Sequence, residues 1–357
     1  MKHNWEHKSL GDLCDLYQPK TISSKELVDN GEFDVFGANG IIGKYSAYNH
    51  EFPEILLTCR GATCGTINIS NPKSWINGNA MVVHSKSETL SFNYLRYAMN
   101  ALDYSSIITG AAQPQITRQS LAPTKIPVPP IAVQQQIVAE LDKINEIITD
   151  CRIALQNLDS LAQSLFYALF GDPCSNPMGW PVQQLSEVSQ LINGRAYKQS
   201  ELQDSGKYRV IRVGNFFTNS DYYYSDLELD EEKYINHGDL IFAWSASFGA
   251  FIWHGEKAIY HYHIWKVIHD NKVLNKIFYQ FLLNEMTSSF MKDLHGIGMM
   301  HLTKSGMEKY ILPVPPLPLQ EKFAAQIDQI EQQKNLIEQT ISNLQTLLNA
   351  RMDYWFN

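Results

Sequence analysis

Ile126-Pro-Val-Pro-Pro-Ile-Ala-Val-Gln134 and Leu312-Pro-Val-Pro-Pro-Leu-Pro-Leu-Gln320 are two copies of one phrase, 186 residues apart. Each opens a long amphipathic run. In the first, Ile137, Leu141, Ile144, Ile148, Cys151, Leu155, Leu158, Ala162, Leu165 and Leu169 alternate at four- and three-residue steps. In the second, Phe323, Ile327, Ile330, Lys334, Ile337, Ile341, Leu344, Leu348, Arg351 and Trp355 hold the equivalent places. A sustained apolar period of about 3.5 residues predicts a helix whose narrow seam needs a partner helix. Each rod should be roughly 50 Å long at the helical rise. No Pro or Gly lies within either seam, so no kink is expected. A homodimer would give each rod its equal. Closure within the chain, rod one antiparallel to rod two, is simpler because a domain-sized segment separates them. A seam this narrow argues against two surface helices lying on separate cores. Lys334 and Arg351 on the second seam cost stability, but can fix register or face a neighbouring protein.

Outward from the phrase, the Pro runs force extended backbone and remove hydrogen-bond donors. Each reads as a stiff lead-in aiming a domain at its rod. They are too short to serve as ligands for proline-binding modules. The flanking segments also repeat. Gly110-Ala-Ala-Gln-Pro-Gln-Ile-Thr-Arg118 lies over Gly296-Ile-Gly-Met-Met-His-Leu-Thr-Lys304 at the same offset. Phe92–Met99 and Ile277–Leu283 both read as amphipathic helices. Ile55–Ala62 has a rough counterpart in Leu240–Ser247, and Trp5…Leu10 in Trp180…Leu185. The expectation is an α+β chain. It comprises two related domains over 1–125 and 171–311, and two lead-in-plus-rod segments over 126–170 and 312–357. The whole is pseudo-two-fold, which suits a two-fold target such as duplex DNA. Loops that diverge on a shared frame suit two readers of different targets.

Composition narrows the class. Five cysteines form no CxxC pair, which suggests reduced, cytoplasmic, structural thiols. The longest apolar stretch, Leu240–Trp253, is broken by Ser and too short for a membrane span. Net charge is −8, and residues 1–125 carry 11 basic and 11 acidic side chains. A protein gripping DNA alone usually carries a basic excess. Either the chain does not bind DNA, or a partner supplies most phosphate contacts.

Taken together these marks resemble the DNA specificity subunit of type I restriction-modification systems. They are the doubled Pro-x-Pro-Pro with Gln134 and Gln320, Gly37-Ala-Asn-Gly-Ile-Ile-Gly43, and Val210-Ile-Arg-Val-Gly-Asn215. The Gly-Ala-Ala-Gln-Pro segment and the bridge Phe170-Gly-Asp-Pro…Asn176-Pro-Met-Gly-Trp-Pro181 complete the set. The resemblance runs the length of the chain in the family's order. It departs at Met299-Met-His301, which replaces Gln113-Pro-Gln115. It implies two target recognition domains held apart by an antiparallel coiled coil. It also implies two methyltransferase subunits using S-adenosylmethionine, and motor-nuclease subunits for cleavage. No cofactor is expected on this chain.

Candidate DNA readers are polar residues on Gly-rich loops. In the first domain they are Asn39, Lys44, Arg60, Thr63, Gln113, Gln115, Thr117 and Arg118. In the second they are Arg195, Lys198, Arg212, Asn215, Ser245, Ser247, His301, Thr303 and Lys304. Arg and Lys suit guanine or phosphate, Asn and Gln adenine. Each residue type serves equally well to hold a turn. Gly37, Gly40 and Gly43 shape a loop rather than a phosphate cradle. Tyr222-Tyr-Tyr224 reads as a strand face or edge, or as a stacking platform. Asp226, Glu228, Asp230, Glu231 and Glu232 read as a solvated face or a contact to a basic partner. No catalytic residue is expected. An Asn/Asp-Pro-Pro-aromatic tetrapeptide is missing, and Glu231-Glu-Lys233 sits in a loop-like acidic run. His254, His261, His263 and His269 read as core or groove histidines rather than metal ligands. Two other readings remain: the specificity partner of a fused methyltransferase-nuclease, and a coiled-coil scaffold that binds only protein.

Overall fold

The computed structural model describes residues 5–110, 113–218, 220–292 and 302–357. The chain divides into two units, one of residues 1–152 with 338–357 and one of residues 153–337.

The globular part of the first unit comprises β1 (His7–Ser9), α1 (Leu10–Leu13), β2 (Cys14–Tyr17), β3 (Phe33–Gly37), β4 (Gly40–Tyr45), β5 (Ile55–Thr58), β6 (Ile67–Ile69), β7 (Trp75–Ile76), β8 (Ala80–Ser85), α2 (Phe92–Ala101), α3 (Arg118–Leu121) and β9 (Lys125–Pro127). An antiparallel sheet runs β2-β8-β5-β6, and a smaller one runs β4-β3-β7 with β3 and β7 parallel. The apolar run at β5 is buried at every position, as a central strand covered on both faces should be. The helix α4 (Ile131–Phe170) follows.

The second globular part comprises β10 (Val182–Gln184), α5 (Leu185–Val188), β11 (Ser189–Asn193), β12 (Tyr208–Ile211), α6 (Gly214–Phe217), β13 (Tyr223–Ser225), β14 (Tyr234–Ile235), β15 (Leu240–Ser245), β16 (Ser247–Ile252), β17 (Ala258–Tyr260), β18 (Ile264–His269), α7 (Lys276–Glu285), α8 (Thr287–Lys292), α9 (Lys304–Met307) and β19 (Ile311–Pro313). Its sheets follow the first pattern with one strand added: β11-β18-β15-β16 antiparallel, and β13-β12-β17-β14, with β12 and β17 parallel and β14 an extra edge strand. Helix α10 (Leu317–Phe356) closes the chain.

Both long helices have 40 residues, and their bounds differ by the 186-residue offset of the phrase. The Pro-rich lead-ins are more than spacers. β9 pairs with β1, and β19 with β10, so each phrase starts as a strand of its own domain. Pro127 lies opposite His7 and Pro313 opposite Val182, in two-stranded sheets where a missing N–H is tolerated.

The glutamine that ends each phrase is fully buried. Gln134 Nε2 donates to Pro129 O at 2.8 Å and Thr89 O at 2.7 Å, and its Oε1 accepts from Ser91 N at 2.9 Å. Gln320 Nε2 donates to Pro315 O at 2.7 Å and Val273 O at 3.0 Å, and its Oε1 accepts from Asn275 N at 2.8 Å. Ser91 and Asn275 are the N-caps of α2 and α7. A buried amide is tolerable only when its bonds are made.

In the first unit, Ile137 and Leu141 enter the domain core, and Leu348, Met352, Trp355 and Phe356 pack against the same cluster. The start of α4 therefore runs beside the end of α10. Arg351 pairs with Glu140, and Trp355 Nε1 donates to Glu140 at 3.1 Å. The Arg351 guanidinium holds the Glu140 carboxyl below the usual range. In the second unit the end of α4 meets the start of α10 through Ala162, Phe166, Phe170, Phe323, Ile327 and Ile330. Lys334 pairs with Asp159 at 2.9 Å. Both seam charges are thus tied across the helix pair, which fixes register. The remaining seam positions named above, from Leu155 and Leu158 to Ile337, Ile341 and Leu344, are half-buried. One refinement to the seam emerges. Leu165 and Leu169 are only half-buried, whereas Phe166 and Phe170, one residue on, are buried among Phe278, Phe281 and Phe323. The domain core recruits a second face of the helix there.

Candidate nucleic-acid interface

Three loops of the first domain are tied into one rim. At the tip of the β3–β4 hairpin, Asn39 Oδ1 accepts from Thr63 Oγ1 at 2.7 Å and Thr58 Oγ1 at 3.3 Å. Thr58 also donates to Ala38 O. The β5–β6 loop is fastened in turn to the segment before α3. Gly61 N donates to Pro114 O, Arg60 bridges Gln115, and Ile116 N donates to Cys59 O at 3.0 Å. The structure therefore gathers Asn39, Arg60, Thr63, Gln113 and Gln115. Arg60, Gln113 and Gln115 are exposed, and the Arg60 guanidinium makes no ion pair among the described residues. Thr117 is the N-cap of α3, accepting from Ser120 N at 3.1 Å, while Arg118 is exposed on its first turn. Lys44 lies at the far end of β4, paired with Asp34 at 3.2 Å. A hydrogen bond from Asn71, with Lys44, holds the Asp34 carboxyl below its usual range.

The second domain places its candidates differently. Arg195 is locked to Glu201 by two bonds of 3.2 and 2.7 Å, with Tyr197 beneath its guanidinium. Lys198 is exposed nearby. Arg212 and Asn215 line a cleft of about 520 Å³ with Asp204, Asp221, Tyr222, Tyr223, His261 and His263. Asn215 is also an internal staple, accepting from Arg212 N at 2.7 Å and donating to Ser220 O at 2.8 Å. Arg212 lies 5.3 Å from the Tyr223 ring, and Arg209 5.3 Å from Tyr222. Tyr223 and Tyr224 lie on edge strand β13, with Tyr222 just before it, and the tyrosines double as platforms for two arginines. Burial, with His263 and Arg212 nearby, pushes the His261 imidazole down to about 4. At neutral pH it is an uncharged hydrogen-bonding group facing the cleft.

Ser245 and Ser247 flank Ala246 at the tip of the β15–β16 hairpin, where Ala246 has φ +63°. Thr303 caps α9 through Gly306 N, the same role Thr117 has at the 186-residue offset. Thr303 and Lys304 line a second cleft of about 310 Å³ with Trp244, Tyr262, His263 and Trp265. His263 belongs to both clefts. His301 and the Met299-Met-His segment lie outside the described residues. Arg209, His261 and His263 were not among the sequence-selected readers. The alternation of His261-Tyr-His263 ahead of an apolar strand was the available signal.

The acidic run is partly neutralised at home: Glu228 pairs with Lys207, Glu231 with Lys257 and Glu232 with Lys233. Glu231–Lys233 is a single 3₁₀ turn. Among the described residues no group of three His, Cys, Asp or Glu side chains is placed to hold a metal ion. No described helix is long and apolar enough to cross a membrane.

Known proteins share this arrangement. A chain of Haemophilus influenzae, named as a candidate type I restriction enzyme specificity subunit, is 23% identical over 341 residues, covering 91% of this chain and 87% of that one. The MjaVIII specificity subunit of Methanocaldococcus jannaschii is 23% identical over 318 residues, covering 80% and 73%. The crystal structure of a type I restriction-modification S subunit from M. genitalium superposes with a TM-score of 0.60 at 14% identity, covering 99% of this chain and 96% of that one. A chain from a structural study of complex assembly and conformational transition in a type I system gives 0.60 at 19% identity, covering 98% and 96%. The family model of the type I restriction modification DNA specificity domain matches residues 2–156 and again 177–346. A doubled domain on paired helices, matched twice by that model, makes this chain a member of the type I restriction-modification DNA specificity family.

Proposed function

We propose that each globular domain reads one half of a bipartite, asymmetric DNA target, and that the paired helices set the spacing and carry the partners. Those partners are two methyltransferase subunits, which bring S-adenosylmethionine, and motor-nuclease subunits where the system cleaves. The chain itself does no chemistry. The observation that carries this reading is one sheet topology built twice with different loop edges. A shared frame positions, and unlike edges specify. The acidic balance fits a subunit that borrows phosphate contacts from its partners. On this reading the isolated chain binds DNA weakly, and specific binding appears with its methyltransferase.

The test is a genome-wide map of methylated adenines in cells carrying the cognate methyltransferase, with and without this chain. A split asymmetric motif that depends on the chain supports the proposal. A stable complex with the methyltransferase but no chain-dependent motif would favour a protein-only scaffold.

A further inference from the structure

The buried glutamines are the polar contact that the two halves of the molecule share most closely. Polar contacts that tie the same helices to other elements differ between the halves at several places. Glu140, which holds Arg351 and Trp355 in the first unit, has Gln326 at its 186-residue offset, where the Oε1 is buried without a partner. Arg351 and Trp355 themselves correspond to Leu165 and Leu169. Arg96 pairs with Asp142 at 2.8 Å, and Tyr97 donates to the same carboxylate at 2.6 Å. Asp142 has Asp328 at its offset, but Arg96 and Tyr97 correspond to Gln280 and Phe281 by position along α2 and α7. The glutamine arrangement, by contrast, recurs bond for bond.

We propose that Gln134 and Gln320 are positioning residues. Each sets the direction in which its domain is carried on its own helix, and so how strictly the two half-sites must be spaced. The inference rests on the bipartite reading above. Each planar amide spans three pieces of backbone: the carbonyl ending the lead-in, a carbonyl just before α2 or α7, and the N-cap amide of that helix. Apolar packing alone is non-directional and tolerates small slides. Three directed bonds from one rigid group fix rotation as well as distance. The lever they hold is long. A tilt of about 4° at the root of a helix about 60 Å long moves its tip by about 4 Å, close to one base-pair step. A loosened root therefore blurs the spacer without touching any residue that reads a base.

The experiment uses the full chain with its cognate methyltransferase in cells, comparing wild type with Gln134→Met, Gln320→Met and the double variant. Methionine fills the volume and makes none of the bonds. Adenine methylation is mapped genome-wide. Both half-site sequences are expected to stay as in wild type, while methylation at sites one base pair longer or shorter rises about tenfold, the factor for losing roughly one net hydrogen bond. The double variant should broaden the spacer furthest. Methylation confined to the wild-type spacer, undiminished or uniformly reduced, overturns the proposal, because a purely structural role lowers the yield of complex without changing spacing. Where a methionine variant does not accumulate, Gln134→Glu and Gln320→Glu keep the oxygen facing Ser91 or Asn275 and lose both N–H donors. They are judged by the same two outcomes. Absence of any motif with the wild-type chain would instead count against the bipartite reading itself.

Discussion

The two domains share a sheet order and differ where the sheets end. In the first, β5 and β6 are joined by the loop from Cys59 to Thr66, which carries Arg60 and Thr63 and is fastened to two neighbouring loops. In the second, β15 and β16 turn through Ala246 alone. The first joins β3 to β4 by a two-residue hairpin, whereas the second places α6 between β12 and β13 and builds its cleft there. One frame thus carries a rim of long polar side chains in one copy and an aromatic cleft with arginines and histidines in the other. Duplication preserved the strands because burial constrains them. It left the connections free, because exposed loops answer only to what they touch.

The cores differ as well, and that difference yields the largest expected effect. In the second unit Phe166 is fully buried among Phe170, Phe278 and Phe323. Its equivalent in the first unit, Met352, is half-buried. Phe166→Ala should cost about 3–5 kcal/mol and Met352→Ala under about 2 kcal/mol, read by denaturant unfolding of the purified chain. Equal costs would remove the contrast between a fully buried phenylalanine and a half-buried methionine at equivalent positions.

Arg60 gives a second contrast, at the proposed reading edge. Arg60→Ala should weaken one half-site by roughly 1–3 kcal/mol and leave the other untouched. Ser247→Ala, at the equivalent edge of the second domain, should do far less. The readout is the base preference of each half-site in the methylation map.

Acid separates the two as well. The His261 imidazole titrates near 4 when folded, against about 6.5 unfolded. The unfolded chain therefore binds its proton first on acidification. The stabilisation is fully present above pH 6.5 and is lost as pH falls toward 4. His261→Gln should flatten that part of the stability-versus-pH curve. In the first domain burial lowers His50 in the same direction. If His50→Gln flattened the curve more than His261→Gln, the second domain would not be the more acid-sensitive.

The smallest effect belongs to Lys44. Its pair with Asp34 is half-exposed, so Lys44→Ala should change stability by no more than about 1 kcal/mol. If Lys44 also meets a phosphate, the salt dependence of complex binding should lose about one unit of slope. An unchanged slope would leave it a purely structural partner of Asp34.

Much of this was legible in the chain, for a definite reason. A helical seam is a local pattern, so Ile137, Leu141, Phe323 and Ile327 announce their burial within a few turns. The repeat then announced two related domains. Strand pairing joins residues far apart, and neither the parallel β12–β17 contact nor the pairing of β1 with β9 has a local signature. The candidate interface was legible only as residue types. Asn39 and Asn215 look alike in sequence, yet one joins two exposed loops and the other staples its own loop. Arg60 and Arg195 are likewise indistinguishable until Glu201 is seen holding the second. Polar side chains can satisfy either the protein or a ligand, and only geometry decides between them.

The antiparallel pairing also imposes an order of assembly during synthesis. Residues 153–337 form one unit without interruption, whereas the other unit needs residues 1–152 together with 338–357. A ribosome therefore delivers everything the later-encoded unit requires before the earlier one can close. Until Trp355 and Phe356 emerge to pack on Trp5 and Tyr94, the first-made domain carries an uncovered apolar face. Released chains truncated after residue 337 should show a protease-resistant second unit and a cleavable first one. The reverse pattern would show that the first domain closes on its own.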